Sequence, residues 1–414
     1  MVPNPGLSIT DFDYLLPPEQ IAQFPLENRD ASRLLVCKDS VITEDLFSGI
    51  GNYLPEKSLL VFNDTRVIRA RLIFAKETGA TIEIFCLEPI APVKEMQAAF
   101  AQKELCTWSC LVGNLKRWKE GRLVKHFEIE GEHFSLFAEK KEALGDGCFA
   151  IEFHWEPANL AFSTVLERAG LVPLPPYINR ASSETDHSRY QTIFAHYEGS
   201  VAAPTAGLHF TESVLEELRK KEISAEKVTL HVGLGTFRPV SAPDISQHIM
   251  HSEKIIVQPE LIRQLAVNTT RPVVAVGTTS ARTLESLYWL GVKLIVDGDG
   301  LHPEISQWDP YEERFSTGIP RQEALSALLD YLERKGMSEY SGSTQLMIVP
   351  GYSYRIVNGL ITNFHMPQST LLLLIAAFIG DDWKTAYQYA LEHGFRFLSY
   401  GDACLFFPGK IKSE

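Results

Sequence analysis

The spacing of apolar residues changes character twice along the chain. From Pro17 to Phe62 the texture is mixed: Pro17-Pro-Glu-Gln-Ile-Ala-Gln23 reads as a helix start, and Leu34-Leu-Val36 and Leu59-Leu-Val-Phe62 as strands buried on both faces. Between Val67 and Trp155 the period becomes two, in Thr81-Ile-Glu-Ile-Phe-Cys-Leu-Glu88, Arg122-Leu-Val-Lys-His-Phe-Glu-Ile129 and Cys148-Phe-Ala-Ile-Glu-Phe-His154. Short alternating strands separated by glycine-containing turns predict a small β-barrel. After Trp155 the mixed texture returns, with amphipathic helices from Glu212 to Lys221 and Pro259 to Val267 and strands from Lys227 to His231 and Lys254 to Val257. The pattern therefore predicts an α/β protein whose main domain is discontinuous, over 1–68 and 156–414, with a β-barrel domain inserted at 69–155. Residues 292–343, rich in Gly, Pro, Asp and Glu and then helical from Arg321 to Lys335, read as an elaboration between two core elements. The most apolar run, Leu371 to Ile379, is shorter than the about 20 residues a bilayer requires, so it is expected to be a buried helix.

Composition narrows the class. A chain of 414 residues with 45% hydrophobic content can fill one large and one smaller core. Its 39 basic and 52 acidic side chains leave a net charge of −13, which argues against a general nucleic-acid coat or a membrane-surface protein and confines any RNA contact to a local patch. The six cysteines show no Cys-x-x-Cys spacing and no secretory signal is visible, so reduced thiols and a cytoplasmic location are expected.

Four separated places offer an imidazole beside Gly, Thr, Ser, Asn or Glu: Ser200-Val-Ala-Ala-Pro-Thr-Ala-Gly-Leu-His-Phe-Thr211, His231-Val-Gly-Leu-Gly-Thr-Phe-Arg238, Met250-His-Ser-Glu253 and Asn363-Phe-His365. These are ingredients for proton transfer. A zinc site built from His209, His231, His251, His365 and Glu253 is an alternative, but no pair has metal-ligand spacing. Pro272-Val-Val-Ala-Val-Gly-Thr-Thr-Ser-Ala-Arg282 reads as a strand, a turn at Gly277 and a helix capped by Thr or Ser, whose free N–H groups and Arg282 could hold a carboxylate or phosphate. An ordinary capped turn is the alternative. Asn63-Asp-Thr-Arg66 follows a strand where ligands gather in α/β folds, and Asp64 could accept from a purine-like edge; an Asx turn is the alternative. Leu171-Val-Pro-Leu-Pro-Pro-Tyr-Ile178 must run extended and offers Tyr177 for stacking, or serves as a linker. Lys116-Arg-Trp-Lys119 with Arg122 and Lys125 sets positive charge around an aromatic, suited to RNA phosphate or to a solvated hairpin. Asp297-Gly-Asp-Gly300 is a turn.

Taken together the chain resembles the S-adenosylmethionine:tRNA ribosyltransferase-isomerase family of queuosine biosynthesis. The resemblance runs from Asp11 to Leu405. It rests on Asp11-Phe-Asp-Tyr14, Asp30-Ala-Ser-Arg-Leu-Leu35, Phe62-Asn-Asp-Thr-Arg-Val67, Pro175-Pro-Tyr-Ile178, Arg189-Tyr-Gln-Thr192, the stretches around His209 and His231, Met250-His-Ser-Glu253, Val276-Gly-Thr-Thr-Ser280, Thr362-Asn-Phe-His365 and Ser399-Tyr-Gly-Asp402. Departures at Arg69, Val349, Lys254 and Gly113-Asn-Leu-Lys-Arg117 keep a paralogue with an altered acceptor open, and a non-catalytic RNA-binding protein is the alternative of another class.

The resemblance implies a barrel-like α/β main domain, a small β-barrel and a cleft between them. It also implies a reaction: the ribosyl unit of S-adenosylmethionine moves to the aminomethyl group of a 7-deazaguanine in tRNA and rearranges, while adenine and methionine leave. S-adenosylmethionine is then a co-substrate, tRNA the macromolecular partner, and neither a metal nor a redox cofactor is required. The sulfonium acidifies the 5′ carbon, so one of His209, His231 or His251 is expected to transfer the proton and Glu253 to protonate adenine. If His209 acts only in binding, its loss raises the substrate requirement and leaves maximal turnover intact. Thr278, Thr279, Ser280 and Arg282 are expected to hold the methionine carboxylate, and Thr236 and Arg238 the ribose or phosphate. Asp64, Thr65, Arg66, Tyr177, Asn363, His365 and Asp402 are expected to contact the acceptor. The chain is expected to act as a monomer.

Overall fold

A computed structural model describes residues 7–76, 78–145, 147–233, 244–298, 303–315 and 318–408. Its frame is a nine-stranded mixed sheet in the order Tyr340–Thr344, Glu253–Val257, Ser224–Leu230, Leu59–Asn63, Val273–Val276, Gly359–Asn363, Ala403–Phe406, Arg33–Lys38 and Val41–Leu46. Ser224–Leu230, Leu59–Asn63, Val273–Val276 and Gly359–Asn363 run parallel, so their carboxyl ends share one edge. Three central strands, Leu59–Asn63, Val273–Val276 and Gly359–Asn363, are buried at every position, as strands covered on both faces must be.

Successive side chains of a strand point to opposite faces, and the two cores divide accordingly. Leu59 and Val61 join the large cluster built with helices Pro259–Val267, Thr278–Asp297, Arg321–Lys335, Thr370–Ile379 and Asp382–Glu392. Leu60 and Phe62 enter a smaller one with Phe47, Phe210 and helix Glu212–Lys220.

A second, seven-stranded sheet is antiparallel throughout, in the order Gly170–Leu171, Arg71–Ala75, Thr81–Ala91, Leu105–Gly113, Cys148–Glu156, Glu132–Gly145 and Leu123–Ile129. Alternate burial along Leu105–Gly113 leaves one face wet and packs the other on a separate core around Trp108, Trp155 and Phe162. The sheet curls until Lys125 Nζ, in its last strand, donates to Ile73 O at 3.2 Å in its second.

Three local expectations change. The helix start near Pro17 is only a short turn, Pro18–Gln20, because Phe397 captures the backbone on both sides: Phe397 N–H donates to Gln20 O and Ala22 N–H to Phe397 O. Thr278 and Ser280 do not cap their helix; the cap is Gly277, at φ 92°, with no side-chain bond. Residues 292–343 are not an elaboration between core elements. Their first part continues helix Thr278–Asp297, their last part lies in edge strand Tyr340–Thr344, and Arg321–Lys335 packs so closely that a Cβ at Gly291 would lie 1.9 Å from Ala324 O.

Candidate active site

The carboxyl ends of Val273–Val276 and Gly359–Asn363 lie side by side, with Val276 opposite Ile361. There the chain leaves the sheet through Gly277 on one strand and through 364–367 on the other, and between them opens a cavity of about 390 Å³. Apolar groups dominate its wall, among them Pro176, Ala203, Val232, Phe364 and Leu371, while Tyr177, Thr278, Thr279, Asn363, His365 and Ser399 supply polar ones. The first main-chain bond of helix Thr278–Asp297 runs from Ala281 N–H to Gly277 O. The N–H groups of the three residues before it have no intrahelical acceptor, and the positive end of a 20-residue helix meets the cavity. Asn63 Nδ2 donates to Leu230 O (3.0 Å) and to Thr279 Oγ1 (3.3 Å), tying that helix start to the neighbouring strands.

Of the four imidazoles expected to meet, one lines the cavity. His365 does so, with Nε2 3.5 Å from Thr362 Oγ1 and no protein partner for Nδ1; burial pushes its pKa down to about 3. His209 stands one side chain behind the wall, with Nδ1 2.8 Å from Ser32 Oγ and Nε2 3.0 Å from Asn363 Nδ2. Burial lowers it to about 4, opposed by a hydrogen bond to the Arg29 backbone and aided by the charges of Arg396 and Arg29. His231, buried against the backbone of Gly199, meets Thr65 Oγ1 at 3.0 Å; burial, then Lys254, takes it to about 4 as well. His251 is exposed on the loop before Glu253–Val257. Convergence fails for His231 and His251 because their positions are set by the sheet edge rather than by the cavity.

Other expected contacts are also redistributed. Tyr177 lines the cavity and its hydroxyl lies 2.7 Å from Ser399 Oγ. Asp64 and Asp402 do not face it, because both carboxylates are already engaged. Asp64 Oδ1 accepts from Thr229 Oγ1 at 2.7 Å. The oxygens of Asp402 accept the N–H groups of Arg33 (3.0 Å) and Arg396 (2.8 Å), and burial raises both acids. Thr65 serves His231, and Arg66 lies 3.9 Å from Glu198 at the surface. Glu253 and Arg282 form a buried ion pair, and Arg282 Nε also donates to Leu346 O at 3.1 Å, so neither reaches the cavity. Ser280 is buried behind the helix start. Thr236 and Arg238 lie outside the described residues. In the proposed RNA patch Trp118 is buried, donating to Gly121 O at 2.9 Å, and only Lys116, Arg117, Lys119 and Arg122 remain at the surface. Among the described residues no three His, Cys, Asp or Glu side chains converge to hold a metal.

Ser32, Tyr190, Thr362 and Ser399 were not singled out individually as site residues. All four stand within the quoted motifs, but the hydroxyls of Ser32 and Ser399 gain meaning only from His209 and Tyr177, distant in sequence.

A family model described as queuosine biosynthesis protein matches residues 9–406. The chain belongs to this family. The S-adenosylmethionine:tRNA ribosyltransferase-isomerase of Azoarcus sp. (strain BH72) is 39% identical over 403 residues, covering 96% of this chain and 97% of that protein. Its namesake from Thermotoga maritima is 38% identical over 404 residues, covering 96% and 99%. A crystal structure of S-adenosylmethionine tRNA ribosyltransferase from Thermotoga maritima matches with 30% identity over 96% of this chain and 100% of that one, at a TM-score of 0.44. The motifs that carry the family resemblance contribute directly to the cavity wall: Tyr177, Ala202 to Ala206, Gly277 to Thr279, Thr362 to His365, and Ser399.

Proposed function

We propose that this chain transfers the ribosyl moiety of S-adenosylmethionine to the 7-aminomethyl-7-deazaguanine of tRNA and isomerises it, giving epoxyqueuosine-tRNA with release of adenine and methionine. What carries the reading is near-full-length similarity, 39% identity over 96% of the chain, to a protein named S-adenosylmethionine:tRNA ribosyltransferase-isomerase. The cavity supports it, being within the usual size range of a small-molecule site and mostly apolar with a few polar groups.

In this reading the methionine carboxylate sits on the N–H groups of Thr278 and Thr279 at the helix start, without Arg282, which is committed to Glu253. Asn363, on the adjoining strand end, accepts from the methionine ammonium. Tyr177 presents a ring on which a base can stack. The proton-transfer role passes to His365, the imidazole on the wall. It is neutral at pH 7, as a base must be, and in this reading it takes the proton from the 5′ carbon and returns it to departing adenine. Removing that proton gives an ylide whose collapse breaks the bond to adenine. These steps require S-adenosylmethionine as co-substrate and call on no metal or redox cofactor.

The curled antiparallel sheet reads as a β-barrel domain inserted at about 69–155 and extended by helix Phe162–Ala169 and strand Gly170–Leu171. Its exposed cations, Lys116, Arg117, Lys119 and Arg122, are suited to tRNA phosphates. In this reading the chain acts as a monomer, and the setting is the cytoplasm. Among the described residues no helix is long and apolar enough to cross a membrane. The test is mass analysis of tRNA bearing the aminomethyl base after incubation with the protein and S-adenosylmethionine. The epoxycyclopentanediol mass increment together with adenine release is expected; an unchanged base would overturn the reading.

A further inference from the structure

We infer that His209 is a positioning residue: it fixes the side-chain amide of Asn363 so that Oδ1 is presented to the cavity as an acceptor for the ammonium of the substrate's methionine end. The identity of that ligand rests on the functional reading above; the hydrogen-bond chain does not.

The argument starts from donor and acceptor bookkeeping. Asn363 is buried, lines the cavity, and has its Nδ2 within reach of two groups, Asp402 O at 3.3 Å and His209 Nε2 at 3.0 Å. A main-chain carbonyl can only accept, so the nitrogen end of the amide must face Asp402 O. Its second hydrogen then points at His209 Nε2, which must be the accepting nitrogen of a neutral ring. The ring proton is left on Nδ1, where Ser32 Oγ, 2.8 Å away, accepts it. Burial of the ring, tilted against Phe47 at a centroid distance of 5.1 Å, keeps it neutral and the tautomer fixed.

With Nδ2 fully used, Oδ1 is the side-chain atom of Asn363 left without a protein partner. A buried amide oxygen left so is costly unless a ligand supplies the donor. The strand register places it beside Gly277 and Thr278, whose helix start attracts a carboxylate. An acceptor and an anion site at adjoining strand ends match the two charges of an α-amino acid. A general base needs access to its proton donor. The Nε2 lone pair of His209 faces Asn363 and its Nδ1 carries the proton, so neither nitrogen is available to the substrate.

The test combines binding, turnover and the state of the ring. Histidine ¹⁵N spectra of the ligand-free protein are expected to show His209 as the Nδ1–H tautomer; an Nε2–H tautomer would overturn the proposal. In His209→Gln the new amide oxygen can replace Nε2 as acceptor. His209→Ala is expected to weaken S-adenosylmethionine binding, measured by calorimetry, about tenfold, and His209→Gln to restore it to within about threefold of wild type. The loss in His209→Ala should appear in KM more than in kcat. Wild-type affinity in both variants with kcat down about a hundredfold or more would assign His209 to the chemistry and overturn the proposal. Should His209→Ala not fold, Asn363→Asp serves: a carboxylate facing Nε2 is expected to move the His209 titration up toward neutrality, and an unmoved ring would refute the contact. Wild-type protein that shows the expected tautomer but no affinity for S-adenosylmethionine would overturn the functional reading and the ligand named here, leaving the hydrogen-bond chain standing.

Discussion

Acidification should destabilise this protein well before its carboxylates titrate, because buried imidazoles refuse protons in the fold, His209 and His231 adding to the effect of His365 on the cavity wall. His209 is 4% exposed and His231 8%, and burial holds each at about 4. In the unfolded chain each returns to about 6.5. Between those values the unfolded state binds more protons, so the stabilisation is fully present above the unfolded value and is lost as pH falls toward the folded one. At pH 5 the loss amounts to roughly 2 kcal/mol per ring, or roughly 4 kcal/mol for the pair, a large share of the about 5–15 kcal/mol typical of a folded protein. Urea unfolding at pH 7.5, 6.5, 5.5 and 5.0 measures it. Replacing His231 by Gln should remove about half of the pair's contribution whatever it does to stability at pH 7.5. A wild-type slope in that variant, or a ring titration midpoint near 6.5 for either histidine in the folded protein, would refute the assignment of the shift to burial.

Three substitutions probe the scaffold that holds the cavity. Gly199 sits at φ 147° with the His231 ring 2.8 Å from where a Cβ would be, so Gly199→Ala should cost about 1–3 kcal/mol and disturb the Thr65 contact; an unchanged urea midpoint would count against it. Glu285, wholly buried, accepts the N–H groups of Arg355 (2.9 Å), Ile356 (2.9 Å) and Val357 (3.0 Å) and the Tyr352 hydroxyl (2.8 Å). Glu285→Ala leaves those donors buried and unmet and should cost about 3 kcal/mol or more, read in thermal or urea unfolding; a loss under about 1 kcal/mol would show that water replaces the carboxylate. Gly291→Ala forces apart helices Thr278–Asp297 and Arg321–Lys335 at the Ala324 carbonyl and should lower the unfolding free energy by at least about 2 kcal/mol, whereas wild-type stability would mean that the helices can separate freely.

Local chemistry reached far into this fold. Unbroken apolar runs marked Leu59–Asn63 and Val273–Val276 as central strands, and the period of two marked Thr81–Ala91 and Cys148–Glu156 as half-exposed ones. Helix Arg321–Lys335 begins and ends where its pattern does. The sequence motifs also carried the family, since residues at fixed spacing need no tertiary context to be compared. They singled out Tyr177, Thr278, Thr279, Asn363 and His365, all of which line the cavity.

Tertiary structure decided the roles. Nothing in the residue types distinguishes Asp402, whose carboxylate is consumed by two backbone N–H groups, from an acid free to read a base. Nor does it distinguish Arg282, taken by Glu253, from an arginine available to a carboxylate. His209, His231 and His365 look alike along the chain; one lines the cavity, another stands behind an amide and the third faces a threonine. Hydrogen-bond capacity is spent between residues hundreds of positions apart, and desolvation depends on everything packed around a group. Both are properties of neighbours in space, so a pattern read along the chain determines which elements form, and only their packing determines which side chains are left with something to offer a ligand.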